Sequence, residues 1–220
     1  FVGDYLFKTV DVINKRTSDN QFVITYFDNI LSNDLPYSNG MQIQLYQMFT
    51  RLLEKYSNFV LILKPKKIVK SVDLPSDLYK FLHQKRVHLL VPEPGHRITP
   101  CSVGLKSDLT IGLGVSSAAA ECCFSGTVSF HADLTGYLDN KFANIALGKA
   151  VFRKISDLEL AINKQILGNG LTIEECKELH KYLDPFQDGK AYLRIGAFLN
   201  KIQQQLVLGI DLREAIKNKQ

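Results

Sequence analysis

The sequence predicts a doubly wound α/β fold built on a mostly parallel sheet. Short apolar runs recur along the chain: "FVITYF" (22–27), "FVLILK" (59–64), "VHLLV" (87–91), "DLTIGL" (108–113) and "TVSF" (127–130). Stretches of helical period or helix-start chemistry separate them. The runs are apolar throughout rather than alternating, as strands covered on both faces are. Strand and helix in alternation then give a parallel sheet with helices on each side.

Taken in order, residues 1–20 have mixed periodicity and many polar side chains, and read as a lead-in from preceding sequence. The chain opens on Phe1 rather than methionine, so a missing N-terminal part is expected. After the first strand, "NILSNDLPYSNG" is dense in loop formers. From Met41 the period changes: Tyr46, Phe49, Leu53 and Tyr56, flanked by Leu45 and Leu52, place an amphipathic helix that ends near Ser57–Asn58. Pro65 stops the second strand, and "SDLYKFLHQ" (76–84) forms a short helix before the third. "PEPGHRITP" is a loop, and a brief helical turn near 102–107 leads into the fourth strand.

The fourth strand hands over to "GLGVSSAAAECC" (112–123), a helix start made of the smallest residues in the chain. "GTVSF" is the fifth strand. "KAVFRKISDLELAINKQI" then supplies a short strand and a helix capped by Ser156. A helix over 172–182, the turn "DPFQDG", and a last long helix with Ala191, Ile195, Phe198, Ile202 and Leu206 on one face complete the chain.

The 220 residues suffice for one large domain or one and a half small ones, with a real core. Apolar content of 45% and charged content of 22% are those of an ordinary globular protein. No apolar run approaches the roughly 18 residues of a membrane span and no signal-peptide pattern opens the chain, so a cytoplasmic location is expected. The net charge of +5 is diffuse apart from "LKPKK" (63–67). It suits an anionic ligand or peripheral contact with an anionic inner membrane face, and no basic stripe with interleaved aromatics points to nucleic acid. Cys101, Cys122, Cys123 and Cys176 include no CxxC pair. Reduced, buried thiols and no metal site are expected.

Ligands of doubly wound sheets sit beyond the carboxyl ends of the strands, where "GLGVSSAAAECC" lies. Gly112 and Gly114 permit a sharp turn, and Ser116 or Ser117 can cap a helix whose free N–H groups suit a phosphate. Plain strand-to-helix packing with a good N-cap explains the same residues. Glu121 lies four residues after Ser117, one too many for a capping box. It is either a surface carboxylate near the helix dipole or an acceptor for two ribose hydroxyls.

The run "SDLTIGLGVSSAAAECCFSGTVSF" resembles the donor-nucleotide half of GT-B glycosyltransferases, in particular bacterial enzymes of capsule and surface-polysaccharide biosynthesis. "FVLILKPKK" is similar to that group's strand ending in a phosphate-side lysine, and "DPFQDGKAYLRIGAFL" to its closing turn and helix. The resemblance implies a Rossmann-like, C-terminal GT-B domain over 21–183 with closing helices over 184–220. It implies that Gly114, Ser116 and Ser117 hold the donor's phosphates, Glu121 takes the ribose, Lys64 offsets phosphate charge, and the loop after "VHLLV" holds the base. His96 and Arg97 face the same cleft or form a solvated loop pair. "DLTGYLDN" (133–140) becomes a polar loop over the donor sugar. The implied partners are a nucleotide-sugar and a glycan or lipid-linked acceptor, without a cofactor. The catalytic base falls to the missing acceptor half or a partner chain. This sequence has "GTVSF" where the family commonly has "G-x-P-V", which leaves the register there open.

Three other functions fit parts of the pattern. A sugar-nucleotide 2-epimerase shares the GT-B architecture, and a non-catalytic nucleotide-binding subunit would need only this half. "GVSSA" is one residue from the G-x-S-x-G nucleophile elbow, with Ser116 as nucleophile and Asp133 or Asp139 before His180 as partners.

Overall fold

A computed structural model of the chain describes residues 20–29, 37–66, 74–90, 98–135, 141–186 and 188–217. Among these residues six strands form one sheet: β1 (Phe22–Phe27), β2 (Phe59–Lys64), β3 (Val87–Leu89), β4 (Leu109–Leu113), β5 (Val128–Ala132) and β6 (Val151–Phe152). Their order is β3-β2-β1-β4-β5-β6 and every pairing is parallel. This is the doubly wound order, in which the chain moves outward from β1 to β3 and then returns to start again at β4. The crevice between β1 and β4 is therefore the topological switch point.

The strands are apolar throughout because both faces are covered. β4 is buried at all five positions, and so is β5. Helix α1 (Asn39–Lys55) places Leu45, Phe49 and Leu52 against Ile24, Tyr26, Leu61 and Ile111 in the larger core cluster. The adjoining positions Val23, Val60 and Ile62 point the other way, into a smaller cluster with Leu90 and Val103. Asp108, which leads β4, accepts the Val23 N–H at 2.8 Å and so pins the start of β4 to β1.

Helices α2 (Ser76–His83), α3 (Pro100–Gly104), α4 (Ser117–Phe124), α5 (Lys141–Ile145), α6 (Ile155–Ile166) and α7 (Ile173–His180) complete the first compact unit, which extends to Leu183. α7 is opened by a capping box between Thr172 and Glu175. A second compact unit begins at Asp184 and contains α8 (Ala191–Val207) and α9 (Leu212–Lys217). Within it, Arg194 pairs with Asp188 at 2.8 Å and stacks over the Phe186 ring at 3.9 Å.

Among the described residues every strand pairing is parallel, as the expected doubly wound class requires. Two expectations change in detail. β5 continues two residues past Phe130, through His131 and Ala132, because His131 is buried as a neutral ring. Lys154, not Ser156, is the N-cap of α6; Ser156 falls inside the first turn, where its hydroxyl meets Asp157 at 3.2 Å. Among the described residues no helix is long and apolar enough to cross a membrane.

Candidate functional site

Because all strands run the same way, the residues at their carboxyl ends share one edge of the sheet. In sheet order from β2 to β6 that edge carries Lys64, Asp28, Gly114, Asp133 and Arg153. Cation, carboxylate, glycine, carboxylate and cation follow one another, with α4 rising from the middle.

The small residues of the β4–α4 turn have separate jobs. A Cβ on Gly112 would meet the Ser116 Cβ at 2.5 Å and the Ala119 Cβ at 3.2 Å, so this glycine lets α4 sit close on the sheet. Gly104 serves the same end from α3, where a Cβ would come within 2.6 Å of the Cys122 sulfur. Gly114 has φ +73°, and a Cβ there would lie 1.9 Å from the Tyr37 hydroxyl. The group that approaches this backbone is the protein's own phenol, and a left-handed turn also favours glycine.

Ser116 is the N-cap of α4, with extended backbone angles, yet its side chain makes no capping hydrogen bond. The first-turn N–H groups, from Ser117 onward, are left without that cap at the positive end of the helix dipole. Such an end favours an anion. Ser117 is exposed beside it.

Behind the turn runs a buried hydrogen-bonded chain. The Ser116 N–H donates to His131 Nδ1 at 3.1 Å; His131 Nε2 and His180 Nε2 are 3.0 Å apart; His180 Nδ1 lies 2.8 Å from the Cys176 carbonyl. A carbonyl only accepts and an N–H only donates, so one tautomer set satisfies every contact. His180 Nδ1–H donates to the carbonyl, and His131 Nε2–H donates to His180. Burial, helped by the neighbouring His180, pushes the His131 pKa down to about 3.

The Cys123 and Cys176 sulfurs meet at 3.3 Å. As donor to the other sulfur, Cys123 has its thiol pKa raised; as acceptor, Cys176 has its own lowered. With His180 these two place three donor atoms within 4.8 Å, the dimensions of a soft metal site. However, metal on His180 Nδ1 would displace the bond to the Cys176 carbonyl. It would also turn an N–H toward His131 Nε2 and so reverse the chain that reaches Ser116. The cluster is accounted for as a hydrogen-bonded core.

Lys64 is half-buried, and burial lowers its pKa against the opposing pull of Asp28. Asp28 is raised to about 6 by burial, despite accepting the Lys66 N–H at 2.5 Å and facing Lys64 and Lys66. Glu121 is exposed on the second turn of α4, with its Oε2 3.9 Å from the Cys101 thiol. Thus Gly114, Ser116 and Ser117 come together at one turn. Lys64 stands two strands away, and Glu121 lies further along the helix. His96 and Arg97 lie outside the described residues, as does Asp139. The serine-hydrolase arrangement is not formed: Ser116 meets His131 through its backbone N–H, and both ring nitrogens of His180 are engaged elsewhere.

Sequence reasoning did not single out Asp28, Tyr37, His131 or Arg153 as site residues. Asp28, Asp133 and Arg153 had a usable signal, since each is a charged residue directly after an apolar strand of a parallel sheet.

No family model matches the sequence, and neither does any curated protein. Solved structures do. A Listeria monocytogenes protein assigned as a UDP-N-acetylglucosamine 2-epimerase superposes with TM-score 0.55 at 18% identity over 85% of this chain and 46% of its own. The wall teichoic acid polymerase TagF matches with TM-score 0.51 at 16% identity, covering 92% and 48% of the two chains. A UDP-forming α,α-trehalose-phosphate synthase from Burkholderia xenovorans matches with TM-score 0.53 at 14% identity, covering 88% and 46%.

The fold is that of the GT-B proteins. The chain spans about half the length of each of these structures. The likeness of "SDLTIGLGVSSAAAECCFSGTVSF" to one half of a GT-B protein is matched at the level of the fold.

Proposed function

We propose that this chain is the donor-binding part of a GT-B glycosyltransferase, which transfers a sugar from a nucleotide-sugar to a surface polysaccharide or other glycan acceptor. The observation that carries this reading is the first turn of α4. It stands beside the sheet's switch point without a side-chain cap and with Lys64 and Arg153 on the same edge. Phosphates of the donor accept from the N–H groups and the hydroxyl of Ser117, while Lys64 offsets their charge. Glu121 accepts the ribose hydroxyls. No protein-bound cofactor or metal takes part, and the acceptor site and catalytic base come from a second half outside these 220 residues. The protein works in the cytoplasm, in peripheral contact with the membrane where its acceptor is lipid-linked.

Calorimetry with UDP, GDP, CDP and CMP tests the binding. At least one should bind, and the chain alone should release no nucleotide from the matching sugar donor in the presence of acceptor. Inversion at C2 of a bound UDP-N-acetylglucosamine would turn the assignment to an epimerase. Failure of all four nucleotides would remove the donor-binding function.

A further inference from the structure

Tyr37 is held in place by the chain on one side and by the core on the other. It directly precedes Ser38, the N-cap of α1, whose hydroxyl accepts the Met41 N–H at 3.4 Å. Its ring is buried in the larger core cluster. The phenol ends over the β4–α4 turn: a Cβ on Gly114 would lie 1.9 Å from its oxygen and 2.4 Å from the ring carbon that carries it. Among the described residues that hydroxyl has no hydrogen-bond partner. Burial, and after it the charge of Asp133, raises its pKa, so it stays a neutral phenol with a free donor.

In a glycine-bearing turn before a helix, the bare backbone is what lets a pyrophosphate come close. Here Tyr37 takes that approach, and donors behind it are already committed. The Gly114 N–H donates to the Ala132 carbonyl at 2.8 Å, and the Ser116 N–H to His131. Ala120 is the first residue of α4 to bond back into the helix, to the Ser116 carbonyl at 3.1 Å. The N–H groups of α4 left to an anion are those of Ser117, Ala118 and Ala119, a single turn that suits one phosphate.

The charge along the edge agrees. The strands flanking β4 are followed by Asp28 and Asp133, and each cation stands one strand further out, behind its own carboxylate. Arg153 Nε is 3.7 Å from Asp133 Oδ2, and Lys64 is drawn to Asp28. A second phosphate placed sideways from α4 would meet a carboxylate before it met a cation.

We propose that Tyr37 limits this site to a single phosphate, so that the nucleotide held there is a nucleoside monophosphate and the donor carries its sugar on one phosphate rather than two. This rests on the donor-binding function proposed above and names the class of donor. Gly114 then serves Tyr37 rather than the ligand, and the specificity belongs to a side chain that no pattern at the turn itself contains.

The test is calorimetry on the whole chain with CMP and CDP, UMP and UDP, GMP and GDP. For the nucleoside that binds, the monophosphate should bind at least about ten-fold tighter than the diphosphate. Tyr37→Ala uncovers Gly114 and should narrow that ratio to within about three-fold by strengthening the diphosphate. Tyr37→Leu removes the ring and hydroxyl but keeps an apolar side chain in the core. It should move the ratio the same way, and it serves if the alanine variant fails to fold in thermal unfolding. A smaller preference in the wild type, or one that neither variant reduces, overturns the restriction. If no nucleotide binds, the donor-binding function fails separately, and phosphate against pyrophosphate reads the turn directly. Thermal stabilisation of the wild type by phosphate alone, extended to pyrophosphate in the variants, supports Tyr37 as the limit. Equal stabilisation of the wild type by both anions, or by neither, overturns it.

Discussion

The Ser116 N–H donates to His131 Nδ1 at 3.1 Å, and this bond joins the candidate phosphate turn to a fully buried histidine of β5. The second ring nitrogen meets His180, so His131 is held in one tautomer from both sides. The cap residue of α4 is positioned by the core rather than by its own side chain.

That arrangement has a pH signature. The His131 pKa is lowered to about 3 in the folded chain, against about 6.5 when unfolded. Between these values the unfolded state binds the extra proton, so stability falls as pH drops. The loss from this residue should reach about 2 kcal/mol between pH 7 and pH 5. Urea unfolding at the two pH values measures it. His131→Asn, which keeps an acceptor near Ser116 but does not titrate, should flatten that part of the slope.

Gly114 should resist substitution for two separable reasons. Its left-handed φ costs any other residue strain, and a new Cβ would collide with Tyr37. Gly114→Ala is expected to lose about 2–4 kcal/mol. In a cycle with Tyr37→Ala the collision vanishes and the strain stays, so the two changes should be non-additive by roughly 1 kcal/mol or more. Strict additivity in denaturant unfolding would mean that Tyr37 does not pack on Gly114.

How much of this was legible beforehand depended on the kind of residue. "FVITYF" and "FVLILK" announced β1 and β2 to the residue, because a doubly covered strand is apolar at every position. The β4–α4 junction was legible as a turn of small residues, but not what approached it. Gly112 answers to Ser116 and Gly114 to Tyr37, and no local pattern links position 37 to position 114. His131 was lost because a polar residue after "TVSF" looks like the end of a strand; its burial depends on His180, 49 positions later. The Asp133–Arg153 pair likewise needs β5 and β6 to be neighbours, which composition does not reveal.

Asp28 and Lys64 make an electrostatic prediction at the switch point. The Asp28 pKa is raised to about 6, so its carboxylate is ionised at pH 7.5 and opposes phosphate beside Lys64. Asp28→Asn should then bind nucleotide diphosphate tighter at pH 7.5 by roughly three- to ten-fold. The advantage should disappear at pH 5, where Asp28 is already protonated. Stability follows the same sign: a folded pKa above the unfolded one stabilises at low pH and is lost as pH rises through about 6. The variant should therefore gain on the wild type at pH 7.5 only. A nucleotide affinity indifferent to this substitution at both pH values would place the phosphates away from Lys64.

Glu121 offers the sharpest separation between a nucleotide site and a merely close-packed junction. Its side chain is exposed on α4, beyond the uncapped first turn, with the Cys101 thiol 3.9 Å from its carboxylate. If it accepts two ribose hydroxyls, Glu121→Ala removes charge-assisted bonds worth roughly 1.5–3 kcal/mol each at most. Nucleotide affinity should fall about ten-fold or more. Stability should scarcely move, since alanine suits a helix and no buried partner is orphaned. A 2′,3′-dideoxynucleotide is the control: it should bind the wild type poorly and be nearly indifferent to the substitution. Were Glu121 only a surface charge near the helix dipole, binding would be untouched and stability would change by about 0.3–1 kcal/mol. Equal losses for ribo- and dideoxynucleotide would mean that the carboxylate acts on the phosphates or on the fold, and the ribose would have to be held by another residue.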